Sequence, residues 1–194
     1  MNDAACAQGF GPVASLETDS VLTTFVRLLL DHAAKRRDAA ALREKEYGIW
    51  QTTAWGQLAE LVKRMAGGFA AAGMQRGQHV IVVGDNRPRL SAAMLAAQAL
   101  GAVPVPLYQD AVAAEFVYPI NFAEVAFAVV ENQEQVDKML EVREQCPQLA
   151  HIWFDDPRGL RKYEEPGLSS LEALCQAGDA WVTQYPGFFE AEVA

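Results

Sequence analysis

The chain has 194 residues, 51% of them hydrophobic, and a formal net charge of −9. A chain this long buries about 70% of its unfolded surface, so one large domain or a small pair with a sizeable core is expected and disorder as a whole is not. Residues 1–97 carry 11 basic and 9 acidic side chains and residues 98–194 carry 5 and 16; the acidic half reads as a solvated face and argues against nucleic-acid binding, which needs clustered Lys and Arg.

Residues 1–17 are small and polar, with Gly9, Gly11 and Pro12, and read as a flexible arm. They have no basic start and no long apolar run, so no secretory signal is read there. The longest apolar stretch, Arg27 aside, is Val21–Leu30, short of the ~20 residues a spanning helix needs. Thr18, Asp19 or Ser20 is expected to cap a helix to about Arg36, with Val21, Leu22, Phe25, Val26, Leu29 and Ala33 as its apolar stripe. His32 lies close to that stripe and reads as a partly buried structural histidine. Ala40–Glu44 and Ile49–Thr53 flank Lys45-Glu46-Tyr47-Gly48 and predict a β-hairpin.

Thr53 is expected to open a helix to about Ala72. Trp55, Leu58, Leu61, Val62, Met65, Ala66, Phe69 and Ala72 form one face, with Lys63 and Arg64 opposite. Gly67-Gly68 inside it costs about 1 kcal/mol per glycine relative to Ala, so close packing against a neighbour is expected there.

His79–Val83 is an apolar β-branched run and reads as a buried parallel strand. Gly84 ends it, Asp85 or Asn86 is placed to cap the next helix, and Pro88 falls in the first turn. Leu90–Leu100 is apolar almost all round and should be buried on several sides. Gly101 is placed to end that helix in the left-handed conformation. Val103–Leu107 completes a strand–helix–strand unit. Pro104 and Pro106 fall two apart in that strand and remove donors from one flank, so that flank should be a sheet edge, a strand end or a gap.

Ala111–Val117 predicts a short helix that Pro119 should end or kink. Val125–Val130 is a further buried strand. Asn132 with Gln135 opens a helix burying Val136, Met139 and Leu140, in which Glu134 and Lys138 form an i,i+4 pair. Pro147 ends it, and Leu149–Phe154 is the next strand. Asp155-Asp156-Pro157-Arg158-Gly159 reads as a turn rather than a carboxylate site. Leu168–Ala177 is expected to be a last helix opened by Ser169 or Ser170, and residues 178–194 a tail. The sum is an α/β fold in three layers: a mainly parallel sheet with helices on both faces, plus an N-terminal β-hairpin.

Cys6, Cys146 and Cys175 are far apart and form no CxxC pair, so they read as free thiols of a reducing compartment. His32, His79 and His151 offer no metal-ligand spacing. Gly84-Asp85-Asn86 follows a strand and opens a helix, where an anion could sit. There is no GxGxxG or GxxxxGK[ST], so the turn alone is the better reading. The five lysines, at 35, 45, 63, 138 and 162, all look like surface positions.

Several stretches, in order, resemble the AMP-forming (adenylate-forming) long-chain fatty acid–CoA ligase family over roughly residues 20–194. Thr53-Ala54-Trp55-Gly56-Gln57-Leu58 is similar to its Thr-Tyr-x-Glu-Leu motif, with Trp55 in place of Tyr. Leu100-Gly101-Ala102-Val103-Pro104-Val105-Pro106-Leu107 is similar to a second motif, with Leu100 in place of the common Ala. Gly84-Asp85-Asn86-Arg87-Pro88, Tyr108-Gln109-Asp110 and Asp155-Asp156-Pro157-Arg158-Gly159 resemble the long-chain branch. Pro119 departs from the family, whose short helix is usually unbroken.

The resemblance implies the incomplete N-terminal domain of an acyl-CoA synthetase-like fold, with residues 1–17 as arm, 18–177 as the α/β subdomain of an AMP-binding domain and 178–194 as tail. It implies ATP, Mg and CoA as cofactors of the full-length enzyme, with fatty acid as substrate. The remainder of the same polypeptide is the implied partner. The family's Ser/Thr/Gly-rich loop ending in Pro-Lys-Gly would follow Ala194, and its later catalytic motifs further on. No catalytic, cofactor-binding or metal residue is therefore carried over, and the 194 residues are expected to be an inactive scaffold that self-associates as a homo-oligomer. The expected location is cytoplasmic or peripheral to the inner face of a membrane. An alternative is a free-standing α/β module binding a small ligand at the strand ends near Gly84 and Tyr108.

Overall fold

The computed structural model describes residues 24–194. The expected arm, the caps at Thr18, Asp19 and Ser20, and Val21 and Leu22 lie outside the described residues. The first helix, α1 (Phe25–Lys35), is capped by Thr24, whose hydroxyl accepts the Arg27 N–H at 3.2 Å. His32 packs its ring 4.6 Å from Trp55, as a structural histidine would.

The hairpin pairs β1 (Ala40–Glu46) with β2 (Ile49–Ala54) antiparallel. Its turn is tighter than expected. Lys45 and Glu46 stay in the ladder opposite Trp50 and Ile49, and only Tyr47 and Gly48 turn, at φ 46° and 83°. Two residues of positive φ match the right-handed twist of the flanking strands.

The helix α2 (Trp55–Ala71) begins two residues later than Thr53, with the Gln57 side chain accepting the Ala54 N–H at 2.8 Å. Then follow β3 (His79–Val83), α3 (Pro88–Ala99), β4 (Val103–Leu107), α4 (Ala113–Phe122), β5 (Phe127–Val130), α5 (Gln133–Val142) and β6 (His151–Phe154). Neither Asp85 nor Asn86 caps α3. Arg87 holds the cap position without a side-chain bond, and Pro88 is the first helical residue. At the other end Gly101 takes φ 68° as expected.

Pro119 does not end α4; it lies inside it. A helical proline costs about 3 kcal/mol, which the burial of Phe116 and Ile120 on either side of it offsets. Lys138 is a second departure. Its side chain is only 16% exposed, and it donates to the Gln109 carbonyl at 2.7 Å as well as pairing with Glu134 at 2.8 Å.

The last expected helix divides. Leu168–Ser170 is a strand, β7, and Ser170 then caps α6 (Leu171–Gln184) by accepting the Ala173 N–H. Residues 178–194 are no loose tail: α6 runs through them and α7 (Phe188–Val193) follows. Phe189 is 2% exposed in the core, Glu190 pairs with Lys63 at 2.6 Å, and the Val193 carbonyl accepts from Arg27. These partners come from α1 and α2, far away in sequence, which is why local reading missed them.

Among the described residues the sheet has five parallel strands in the order β4-β3-β5-β6-β7, where three or four are expected. Strand alternation sorts its side chains. Val80, Val82, Phe127, Val129 and Trp153 face a core built with α1, α2, α3, α6 and α7. Ile81, Val83, Ala128, Val130 and Ile152 face a second core built with α4 and α5. The proline strand β4 is an edge, as expected. Val103 N–H points inward to the Gln78 carbonyl, so by period two Pro104 and Pro106 put their missing donors on the open flank.

Gly67-Gly68 has the expected neighbour, α6. A Cβ on Gly68 would sit 2.3 Å from the Leu174 carbonyl oxygen, and one on Gly178 only 1.7 Å from that of Arg64. Arg64 and Asp179 seal the contact with two hydrogen bonds of 2.8 Å. Gly178→Ala is therefore expected to cost at least about 2 kcal/mol by forcing the helices apart. Phe189→Ala should cost about 3–5 kcal/mol if α7 is core. Urea unfolding midpoints read both, and a wild-type midpoint for Phe189→Ala would make α7 an appendage.

Candidate functional site

All five strands run the same way, so the loops that follow them gather at one end. There Gly84 and Asp85 follow β3, Tyr108 and Gln109 follow β4, Glu131 follows β5, and Asp155 and Asp156 follow β6. The hairpin leans over this end and closes one side of a cleft of about 410 Å³.

The centre of the cleft is Glu131, a carboxylate only 7% exposed. Its Oε2 accepts the Asp85 N–H at 2.6 Å, and its Oε1 accepts the Arg87 Nε–H at 2.8 Å. A Cβ on Gly84 would lie 2.5 Å from the Glu131 Cβ, so glycine makes room for the carboxylate. Arg87 reaches on to Glu44 of the hairpin, 3.6 Å away. The hydrogen bond it donates to Glu131 raises the Arg87 guanidinium above its ordinary value.

Two more arginines frame the cleft. Arg89 Nε lies 2.7 Å from Asp155 Oδ1. Burial pushes the Asp155 carboxyl above its ordinary range against the opposing pull of Arg89. Arg158 bonds Asp156 within its own turn and holds that carboxyl below the usual range. It also donates to the Tyr47 hydroxyl at 3.0 Å, joining the hairpin tip to the loop after β6.

The expected turn Asp155-Asp156-Pro157-Arg158-Gly159 is a turn, with Asp156 Oδ1 accepting the Arg158 N–H at 3.0 Å. Gly84 and Tyr108 follow neighbouring strands, as expected for a site at the strand ends. Gln109 Nε2 donates to Asp85 Oδ1 at 2.7 Å, but Tyr108 itself is exposed. Glu131, Arg89 and Glu44 were not singled out by sequence reasoning, and Arg87 entered only as part of the Gly84-Asp85-Asn86-Arg87-Pro88 stretch. The available signal was a carboxylate placed directly after a wholly apolar strand, where burial requires a partner. Among the described residues no three His, Cys, Asp or Glu side chains converge to hold a metal ion.

Residues 29–185 match the model of the AMP-binding enzyme family. The long-chain-fatty-acid–CoA ligase ACSBG2 of Xenopus laevis is 30% identical over 156 residues, covering 80% of this chain and 21% of that protein. The fatty acid–[acyl-carrier-protein] ligase MmaC of Mycobacterium marinum is 36% identical over 84 residues, 42% of this chain and 15% of that protein. Among solved structures, the acetoacetyl-CoA synthetase from Streptomyces lividans superposes with a TM-score of 0.69 at 22% identity, over 77% of this chain and 24% of that one. The anthranilate CoA ligase AuaEII, in complex with anthranoyl-AMP, gives 0.68 at 16% identity over 78% and 27%. The two structures share the fold, and this chain spans about a fifth of the length of the curated long-chain relatives. The chain belongs to the AMP-binding enzyme family.

Proposed function

We propose that the chain is the N-terminal portion of a long-chain fatty acid–CoA ligase and serves as its framework, without ligase activity of its own. Such an enzyme joins a carboxylate to AMP from ATP-Mg, releases pyrophosphate, and passes the acyl group to the thiol of coenzyme A. The observation that carries the reading is the 156-residue match to a long-chain ligase, which covers most of this chain and a fifth of that protein. The cellular location proposed with it is the cytoplasm, including the inner face of a membrane.

The residues described do not fit ATP-Mg. Phosphates in transfer need cationic groups free to meet developing charge. Three of the four cations that line the cleft, Arg87, Arg89 and Arg158, are each already paired to a carboxylate of the chain, and the fourth, Lys45, stands on the hairpin. The anion position beside Gly84 is taken by Glu131. No step of adenylation is assigned to these side chains.

The outer face of α4 supports a role as one packed part of a larger enzyme. Tyr118 and Phe122 are exposed on it, their rings stacked 5.5 Å apart, while Phe116 and Ile120 fill the core. A short helix apolar on both faces is built to be covered, and in the proposed enzyme the remainder of the polypeptide covers it.

The chain incubated with ATP, Mg and a long-chain fatty acid should release no pyrophosphate above a blank. Mixed with a long-chain ligase lacking its matching segment, it should restore acyl-CoA formation. Turnover by the chain alone would sink the framework reading, and failed complementation the ligase reading. In sedimentation the isolated chain should associate as concentration rises, and Tyr118→Ser with Phe122→Ser should return it to monomer. A wild-type monomer at every concentration would contradict the covered-face argument.

A further inference from the structure

Glu131 stands where this kind of sheet receives a ligand. In open parallel sheets ligands bind beyond the carboxyl ends of the strands, at the point where the connections turn from one side to the other. Here β4 lies on one side of β3, and β5, β6 and β7 on the other. The turning point is therefore the crevice between β3 and β5, whose last residues Val83 and Val130 are register partners. The backbone N–H of Asp85, in the turn ahead of α3, points into it.

The chain supplies an anion there itself. Three separate features converge on one carboxylate: the Asp85 N–H, the Arg87 guanidinium and the absence of a side chain at Gly84. The backbone adds a fourth, since the Glu131 N–H bonds the Val83 carbonyl at 2.9 Å and its carbonyl accepts from Asp156 at 2.7 Å. These bonds fix the residue across both strands. The carboxylate offers its two donors what a phosphate would, one charged acceptor oxygen to the Arg87 guanidinium and another to the Asp85 N–H.

We infer that Glu131 is a resident anion that closes the crevice between β3 and β5 to phosphate-bearing ligands and, through Arg87, ties the β1–β2 hairpin to the sheet. It is a positioning residue, and the inference stands whether or not the full-length protein is a ligase. Its two roles are separable. Removing the carboxylate frees the Asp85 and Arg87 donors for a soluble oxyanion and loosens the hairpin. Removing Glu44 loosens the hairpin alone.

The test is a titration of the 194-residue chain with inorganic phosphate, read by the Asp85 amide and Arg87 Nε–H resonances in NMR. In the wild type neither should move. In Glu131→Ala both should shift and saturate. In Glu131→Gln, which keeps the bulk and an acceptor for Asp85, the Asp85 amide should stay silent. Order parameters over residues 44–48 should fall in both Glu131 variants and in Glu44→Gln, and Glu44→Gln should show no phosphate response. A saturating wild-type shift at Asp85 overturns the inference. So does a folded Glu131→Ala chain that ignores phosphate, or unchanged hairpin order in Glu131→Gln.

Discussion

A single buried carboxylate holds the working end of this sheet together. Glu131 leaves β5 and is met by the backbone after β3 and by Arg87, which continues to Glu44 on the hairpin. Burying a charge is costly unless it is paired and hydrogen-bonded. Both oxygens of Glu131 are satisfied, and that requirement shapes its surroundings. It fixes glycine at 84, explains why Arg87 rather than a short polar residue sits at the start of α3, and brings the hairpin over the strand ends. Arg89–Asp155 and Arg158–Asp156 add two further ion pairs at the rim.

The opposite demand, close apolar packing, governs the other parts of the fold. The sheet separates two cores, and the larger depends on how near α6 can come to α2. Backbone carbonyls of Arg64 and Leu174 lie where side chains at positions 178 and 68 would be. Glycine's cost inside a helix is repaid by the burial of Phe69, Leu174 and Phe189 around that contact. The cation side of the same contact, Arg64 to Asp179, lies at the surface and adds orientation more than stability.

Much of this was legible from the residues. The strands His79–Val83 and Val103–Leu107, the edge position of the proline strand, the reason for Gly67-Gly68 and the Asn132 cap all follow from local chemistry. The failures share a cause. Pro119 is expected to end or kink its helix because its cost is local, and the helix does not end there because Phe116 and Ile120 offset that cost through contacts across the core. Residues 178–194 were read as a tail because their partners, Lys63 and Arg27, are more than a hundred residues away. Glu131 was passed over because one acidic residue carries no motif. Its meaning appears only when Val83 and Val130 become register partners. The order of family motifs pointed to the AMP-binding enzymes, but the arginines of the cleft those motifs flank are already paired with the chain's own carboxylates.

A double-mutant cycle between Glu131 and Arg87, read by urea unfolding of Glu131→Gln, Arg87→Gln and the pair, tests the account most directly. Groups sharing one hydrogen-bonded network couple by about 0.5–3 kcal/mol, and a charged bond to a carboxylate this buried should lie at or above about 1 kcal/mol. A coupling below about 0.3 kcal/mol, the scale of independent sites, would mean that Glu131 does not hold the strand ends and the hairpin together.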